Sequence, residues 1–334
     1  MIPAFLALAA LGLTIEARAG LAPVDPQDSR PIVIEVQAGE STGQIAQRLK
    51  EQNLIRDPLA FGLYARYLKL DQRLRVGEYE LSRNLTAGQV IDTLVRGTMV
   101  TYPFTVPEGY TLRQIAEVLA RKGFVNRDRF LALARDPRFF PAELPRSAEL
   151  KEPLEGYLFP DTYRVPRHHT EEDILRMMLA RFQQVFGPEY RRRAQELGMS
   201  VHQVVTLASV IEKEATSHDR AEVSAVFHNR LRLGMKLDSC ATVNYVLDHP
   251  RLILTYDDLT NPSPYNTYQY AGLPPGPIAD PGEAAIRAAL YPAAVDYLYF
   301  VAKNDHEQVF ANTYEEHLAN RARFQGQLAP GSQP

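Results

Sequence analysis

One frame occurs twice in the chain: Val36-Gln-Ala-Gly39 followed by Gln44-Ile45-Ala46 and Leu49 returns as Val106-Pro-Glu-Gly109 followed by Gln114-Ile115-Ala116 and Leu119. The run Ile32–Val36 ahead of the first copy alternates in polarity and reads as a strand. The glycine reads as a turn, and apolar residues three and four apart read as one face of a short helix. Leu85-Thr86-Ala87-Gly88-Gln89-Val90-Ile91 with Leu94 is a looser third copy of turn and helix. A stacked solenoid needs a fixed period, which these copies lack, so a small strand-turn-helix unit is reused instead. Between the copies, Pro58–Lys69 is apolar at helical spacing and Gly77–Leu81 is a short alternating strand.

The remaining chain has a different texture. After Asn126–Pro153, an irregular connection with one helix at Arg127–Arg135, long helices are predicted over Glu171–Phe186, Pro188–Leu197, Ser200–Ala215 and Arg220–Leu233. Tyr297–Ala302 is a continuous apolar run and predicts a buried strand, with Gln308–Phe310 pairing beside it and Thr313–Gln325 as a closing helix. The fold class is therefore α+β: small βα units over 32–100, then a larger mixed helix and sheet domain over 101–326, with a Pro, Gly and Ser tail over 327–334.

Residues 1–31 stand apart. Ile2–Ile15 carries no charge and is mostly apolar, and at 14 residues it is shorter than the roughly 20 that span a bilayer. Ala17-Arg18-Ala19 before Gly20 matches a signal-peptidase site. Either a cleaved signal or a membrane anchor whose upstream part precedes Met1 is expected, and both send the rest of the chain outside the cytoplasm.

Composition excludes several classes. Lys and Arg number 37 against 40 Asp and Glu, a formal charge of −3, so no basic field gathers nucleic acid. Cys240 is the only cysteine, which rules out an intrachain disulfide and a Cys-rich zinc site. No H-E-x-x-H, P-loop or G-x-G-x-x-G string occurs, and neither a metal nor a cofactor is predicted.

Chemistry concentrates on the helix through residue 214. Val204, Leu207, Ala208, Ile211 and Ala215 give it one buried face, and Glu212 and Glu214 lie about 200° apart on its flanks. A carboxyl at the edge of an apolar stripe has its pKa raised by desolvation and suits general-acid work. Spacing leaves both glutamates as candidates.

Several ordered motifs accompany that helix. Leu207-Ala-Ser-Val-Ile-Glu-Lys-Glu-Ala215 is followed by Val226–Leu237, Tyr265-Asn-Thr-Tyr268 and Gly272-Leu-Pro-Pro-Gly-Pro-Ile278, with Glu155–Tyr163 upstream and Tyr297–Val301 downstream. Together they resemble the MltG (YceG-like) family of endolytic murein transglycosylases from about residue 32 to 325. The G-x-[ST] turns of the first region also resemble the glycan-binding LysM module, in which two helices lie on a two-stranded sheet.

The resemblance implies a single-pass inner-membrane enzyme facing the cell wall. It implies cleavage between N-acetylmuramic acid and N-acetylglucosamine in nascent glycan strands, leaving 1,6-anhydro ends, with peptidoglycan as substrate and wall synthases or divisome and elongasome proteins as partners. The family's acid, the second glutamate of its E-K-E string, falls on Glu214. Because the nucleophile is the substrate's own C6 hydroxyl, a second catalytic carboxylate is not required. Prolines stiffen the loop carrying Tyr265, Asn266, Thr267 and Tyr268, and its amide, hydroxyl and phenols suit N-acetyl sugars. Asn266 is the preferred sugar or acid partner, and Glu155, Tyr157 and Asn229 are further substrate-contact candidates.

Many members carry Asp-Pro where this chain reads Cys240-Ala241, so Asp238 is the nearby acid, and Cys240 is expected to pack as a small hydrophobe. Arg191–Arg193 reads as a solvated helix face or a contact for anionic lipid. Two rivals remain: a non-catalytic glycan-binding scaffold, and a water-using muramidase with Glu155 or Asp161 as second carboxylate.

Overall fold

The structure is a computed structural model that describes residues 19–145, 150–251, 253–304 and 306–324. The expected signal or anchor at Ile2–Ile15 and the tail over 327–334 lie outside the described residues. Among the described residues no helix is long and apolar enough to cross a membrane. The chain divides into two compact units: one runs to Pro103 and takes back Arg164–His169, and the other comprises Phe104–Tyr163 and the chain from Thr170.

In the first unit β1 (Ile32–Val36) pairs antiparallel with β2 (Gly77–Leu81), Ile34 opposite Tyr79. Two helices lie between them in sequence, α1 (Thr42–Glu51) and α2 (Pro58–Tyr67), and α3 (Ala87–Arg96) follows. Ile34, Ile45, Leu49, Phe61, Tyr79, Val90 and Leu94 bury their side chains in one cluster. Burial of about 1.5–3 kcal/mol per large apolar side chain, and not helix propensity, holds such ten-residue helices.

The recurring frame is a helix start. Ser41, Thr86 and Thr111 each cap a helix and accept from the backbone N–H three residues on, while Gln44, Gln89 and Gln114 reach back to the cap N–H. Gly39 and Gly109 precede two of these caps with φ of +84° and +72°, a region that favours glycine. The third helix so capped, α4 (Leu112–Arg121), belongs to the second unit, so the frame recurs across units without repeating a domain. The strands β3 (Tyr102–Thr105) and β4 (Thr162–Val165) pair where the chain passes between the units.

The second unit is built around a buried helix. After α5 (Arg127–Leu133), the helices α6 (Glu171–Val185), α7 (Pro188–Glu196), α8 (Val201–Glu214) and α9 (Arg220–Arg232) follow the predicted spans within two residues. Val204 through Ile211 of α8 are all buried. α8 packs most extensively on α12 (Glu283–Leu290), which follows the short α10 (Cys240–Val246) and α11 (Tyr256–Leu259).

The predicted buried strand is corrected. β5 (Tyr299–Asn304) and β6 (Glu307–Ala311) form an isolated hairpin, so each ladder has one uncovered edge and only Val301 of β5 is buried. The helix α13 (Tyr314–Phe324) closes against it. Arg191–Arg193 is not simply solvated: Arg191 pairs with Glu143, and Arg193 donates to the Leu290 carbonyl and pairs with Glu196.

Candidate active site

Glu214 is the last residue of α8, and its backbone carbonyl accepts from Gln308 Nε2 of β6 at 2.6 Å. Its half-buried carboxyl meets the turn between α9 and α10: Oε1 accepts from the Ser239 hydroxyl and from the Ala241 N–H at 3.1 Å. Burial raises the Glu214 pKa above the ordinary carboxylate value, against the lowering pull of those two donors and of the Lys213 charge.

Glu212 faces elsewhere. Its Oε2 accepts from the Gly282 N–H at 3.2 Å and its Oε1 lies 3.5 Å from Arg220, so it ties α8 to α9 and to the start of α12. The two flanks that spacing left equivalent are therefore chemically distinct.

The turn that delivers Ser239 is fixed from several sides. The Arg230 guanidinium, 7% exposed, donates to the carbonyls of Leu298, Lys236 and Leu237 and pairs with Asp238 at 2.9 Å. Asp238 itself sits at φ +51°. Thr267 Oγ1 accepts from the Ser239 N–H at 3.0 Å, and the Thr242 hydroxyl donates to the Ser239 carbonyl at 2.7 Å. The two threonine hydroxyls are 2.9 Å apart, so Ser239 is clamped on both sides of its own backbone.

Of the predicted loop, Tyr268 comes to the edge of the turn that holds the acid. Its half-buried phenol lies 3.1 Å from Cys240 Sγ and feels the Glu214 charge; burial raises its pKa. The other three loop residues are corrected from substrate contacts to scaffold. Asn266 is fully buried, with its Nδ2 on the carbonyls of Leu259 and Asn261 at 2.9 and 2.8 Å and its Oδ1 on the Tyr268 N–H at 3.0 Å. Both N–H groups of that amide and one lone pair of its oxygen are spent on the loop backbone. Tyr265, 3% exposed, accepts from the Lys151 N–H and packs on Tyr245. Thr267 belongs to the clamp.

The upstream candidates are likewise internal. Tyr157 is fully buried and its hydroxyl meets His202 Nδ1 at 2.9 Å, while His202 Nε2 meets the Pro275 carbonyl at 2.8 Å. The carbonyl can only accept, so Nε2 carries the proton and Nδ1 accepts from Tyr157. Asn229 donates to the carbonyls of Val295 and Tyr297, both at 2.9 Å.

Glu155 is buried away from Glu214. Its Oε1 takes the Leu112 N–H at 2.7 Å, its Oε2 takes the Tyr245 hydroxyl at 3.0 Å, and it shares a hydrogen bond with buried Asp280. Gly156 next to it has φ +84°, and a Cβ there would stand 2.6 Å from Pro277, so only glycine fits the turn. Asp161 pairs with Arg181 at 2.7 Å.

Cys240 is also corrected. It is exposed at the first position of α10, because that helix begins at the edge of the site and turns its buried face, Thr242 and Val243, away. Ser239 was missed at the sequence level. The signal available was its place beside the departure from Asp-Pro, immediately before α10.

Residues 34–323 match the model of the YceG-like family. The chain belongs to that family. It is 35% identical over 326 residues to the endolytic murein transglycosylase of Bacillus subtilis (strain 168), covering 94% of this chain and 90% of that one. It is 30% identical over 331 residues to the endolytic murein transglycosylase of Streptococcus pneumoniae serotype 2 (strain D39), covering 90% of this chain and 60% of the longer relative. A 2.6 Å crystal structure of a YceG-like protein from Listeria monocytogenes superposes with a TM-score of 0.61 at 36% identity, covering 86% of this chain and 98% of that one. A YceG-like chain of mixed helix and sheet is thus supported by sequence and by structure independently.

Proposed function

We propose that this chain is an endolytic murein transglycosylase in which Glu214 acts first as acid and then as base. The observation that carries the reading is a half-buried carboxyl with a raised pKa and, among the described residues, no carboxylate partner: its polar neighbours are Ser239, Ala241, Lys213, Cys240 and Tyr268. Neutral Glu214 gives its proton to the glycosidic oxygen as the C1–O bond of the muramic residue breaks. The C6 hydroxyl of that residue closes on C1, and the Glu214 carboxylate takes the hydroxyl proton. No water is consumed, and the product carries a 1,6-anhydro end. A water-using muramidase calls for a second carboxylate at Glu155 or Asp161, and both are engaged elsewhere.

The substrate is peptidoglycan glycan, and the order strand, helix, helix, strand in the first unit supports a LysM-like glycan contact there. A cleft of about 610 Å³ in that unit is lined by Ser41, Thr42, Arg66, Asp71 and Gln72, a mixture suited to sugar hydroxyls. The apolar segment at residues 2–15 supports retention at the inner membrane with the catalytic unit outside the cytoplasm, where wall synthases work.

The test is mass spectrometry of fragments that the full-length protein releases from purified peptidoglycan, beside Glu214→Gln. Anhydro-muramic ends are expected from the wild type, with release falling by about 10³-fold or more in the variant. Reducing ends would make the protein a hydrolase, and equal release by both proteins would remove Glu214 from the chemistry.

A further inference from the structure

Both donors that reach Glu214, the Ser239 hydroxyl and the Ala241 N–H, land on one oxygen, Oε1. Among the described residues Oε2 receives no hydrogen bond. A neutral carboxyl whose carbonyl oxygen already accepts two hydrogen bonds carries its proton on the other oxygen. Ser239 cannot drift from this contact, since it is 3% exposed and its N–H and carbonyl are each held by a fully or nearly fully buried threonine.

We propose that Ser239 and the Ala241 N–H are the positioning groups of the reaction: they pin Oε1 so that Oε2 presents the proton to the glycosidic oxygen and later receives the C6 hydroxyl proton. Thr267 and Thr242 set the serine. The inference rests on the transglycosylase reading for the identity of the bond broken, and on geometry alone for the pinning.

The two donors act unequally along the reaction. They bond weakly to the neutral carboxyl and strongly to the carboxylate that develops as the proton leaves, so their contribution appears in the transition state. Of the other groups about the site, Cys240 and Tyr268 are both pushed up by burial and stay neutral, Asp238 pairs with Arg230, and the Lys213 charge pulls the Glu214 pKa down.

Two variants of the full-length protein separate the donors. Ser239→Ala removes the hydroxyl, and Ala241→Pro removes the N–H at the second position of α10, where first-turn N–H groups have no partner within the helix, while also loosening the helical conformation of Cys240. Turnover is expected to fall about 10- to 100-fold in Ser239→Ala, the range for losing one hydrogen bond to a charged group. The alkaline limb of its pH–rate profile should move to higher pH, because a carboxylate with one donor fewer is protonated more readily. Ala241→Pro should move the limb the same way, and Ser239→Thr should restore both rate and limb.

A role confined to folding lowers the amount of active protein and leaves the limb in place, so a coincident limb in both variants overturns the proposal. A 13C titration of the glutamate side chains, with the Glu214 signal assigned by its loss in Glu214→Gln, reads the same contact without substrate. Should the wild type cut no peptidoglycan, the transglycosylase reading fails, while a Glu214 midpoint raised in both variants still upholds the pinning and an unmoved midpoint refutes it.

Discussion

Glu155, buried, and Glu214, half-buried, are two acids of one unit, and desolvation raises the pKa of each, that of Glu155 to about 7. What differs is how their oxygens are spent. Glu155, 1% exposed, gives one oxygen to the Leu112 N–H and the other to the Tyr245 hydroxyl, and shares a hydrogen bond with Asp280. Glu214 gives Oε1 to two donors, and among the described residues its Oε2 receives none. A raised pKa marks both a structural latch and a reactive acid, so it does not by itself locate chemistry. The unspent oxygen separates Glu214 from Glu155.

Breaking that contrast most completely, Glu214→Gln should abolish glycan cleavage while leaving the melting temperature within a few degrees. Its neutral amide fits a place where the acid is already neutral at rest. Asp280→Asn should do the reverse, preserving turnover and changing stability. Activity lost in Asp280→Asn with an unchanged melt would place the latch inside the active machinery.

The latch has its own pH dependence. Glu155 and Asp280 hold a proton more tightly folded than unfolded, so the folded state binds more protons and stability declines as pH rises. For Glu155 the decline starts near the unfolded value of 4.5 and levels off near 7, with a total on the order of 3 kcal/mol. Because the two acids interact, the measured midpoints belong to the pair. Asp280→Asn keeps an acceptor for the Leu158 N–H, which now sits 2.8 Å from Asp280 Oδ1, and removes one acid. Its melting curve from pH 4.5 to 8 should be flatter than that of the wild type, and parallel curves would show that the pair does not govern stability.

Much of this architecture was readable in the sequence, and the exceptions share a cause. α6, α7, α8 and α9 announce themselves through apolar spacing and caps such as Thr170 and Ser200. α12 does not, because it is only eight residues long, its cap Gly282 offers no side-chain hydrogen bond, and it is held by packing on α8. In the loop Tyr265–Tyr268, three of the four side chains are buried. Composition shows that a segment is polar and stiff, but not whether an amide satisfies a sugar or the loop's own carbonyls. Ser239 escaped for the same reason: one hydroxyl becomes informative only when the fold brings it to Glu214.

Asn266 tests that distinction at a smaller scale. Replacing it by alanine orphans the Asn261 carbonyl and the Tyr268 N–H and leaves the Leu259 carbonyl with the Gln269 side-chain amide alone, and should cost about 2–4 kcal/mol of stability. Turnover should fall through displacement of Tyr268, and cooling should recover part of it as the loop reorders. A direct sugar contact predicts instead a weakened KM with an unchanged melting temperature.

Cys240 carries the smallest expected effect and bears on the open side of the comparison. It is exposed, its Sγ lies 3.1 Å from the Tyr268 hydroxyl, and burial around the sulfur pushes its pKa up, so the thiol stays protonated at neutral pH. A neutral thiol is a poor nucleophile and a weak hydrogen-bond partner. Cys240→Ser keeps the contact to Tyr268 in stronger form and should change turnover by no more than about twofold, the scale of a surface substitution near ±0.5 kcal/mol. Cys240→Asp sets a charge beside Glu214 and so raises the acid's pKa through like-charge repulsion. The alkaline limb should move upward in the aspartate variant and stay in place in the serine variant. If the serine variant shifted the limb as well, Oε1 would not be the only oxygen of Glu214 held by its surroundings, and the contrast with Glu155 would narrow.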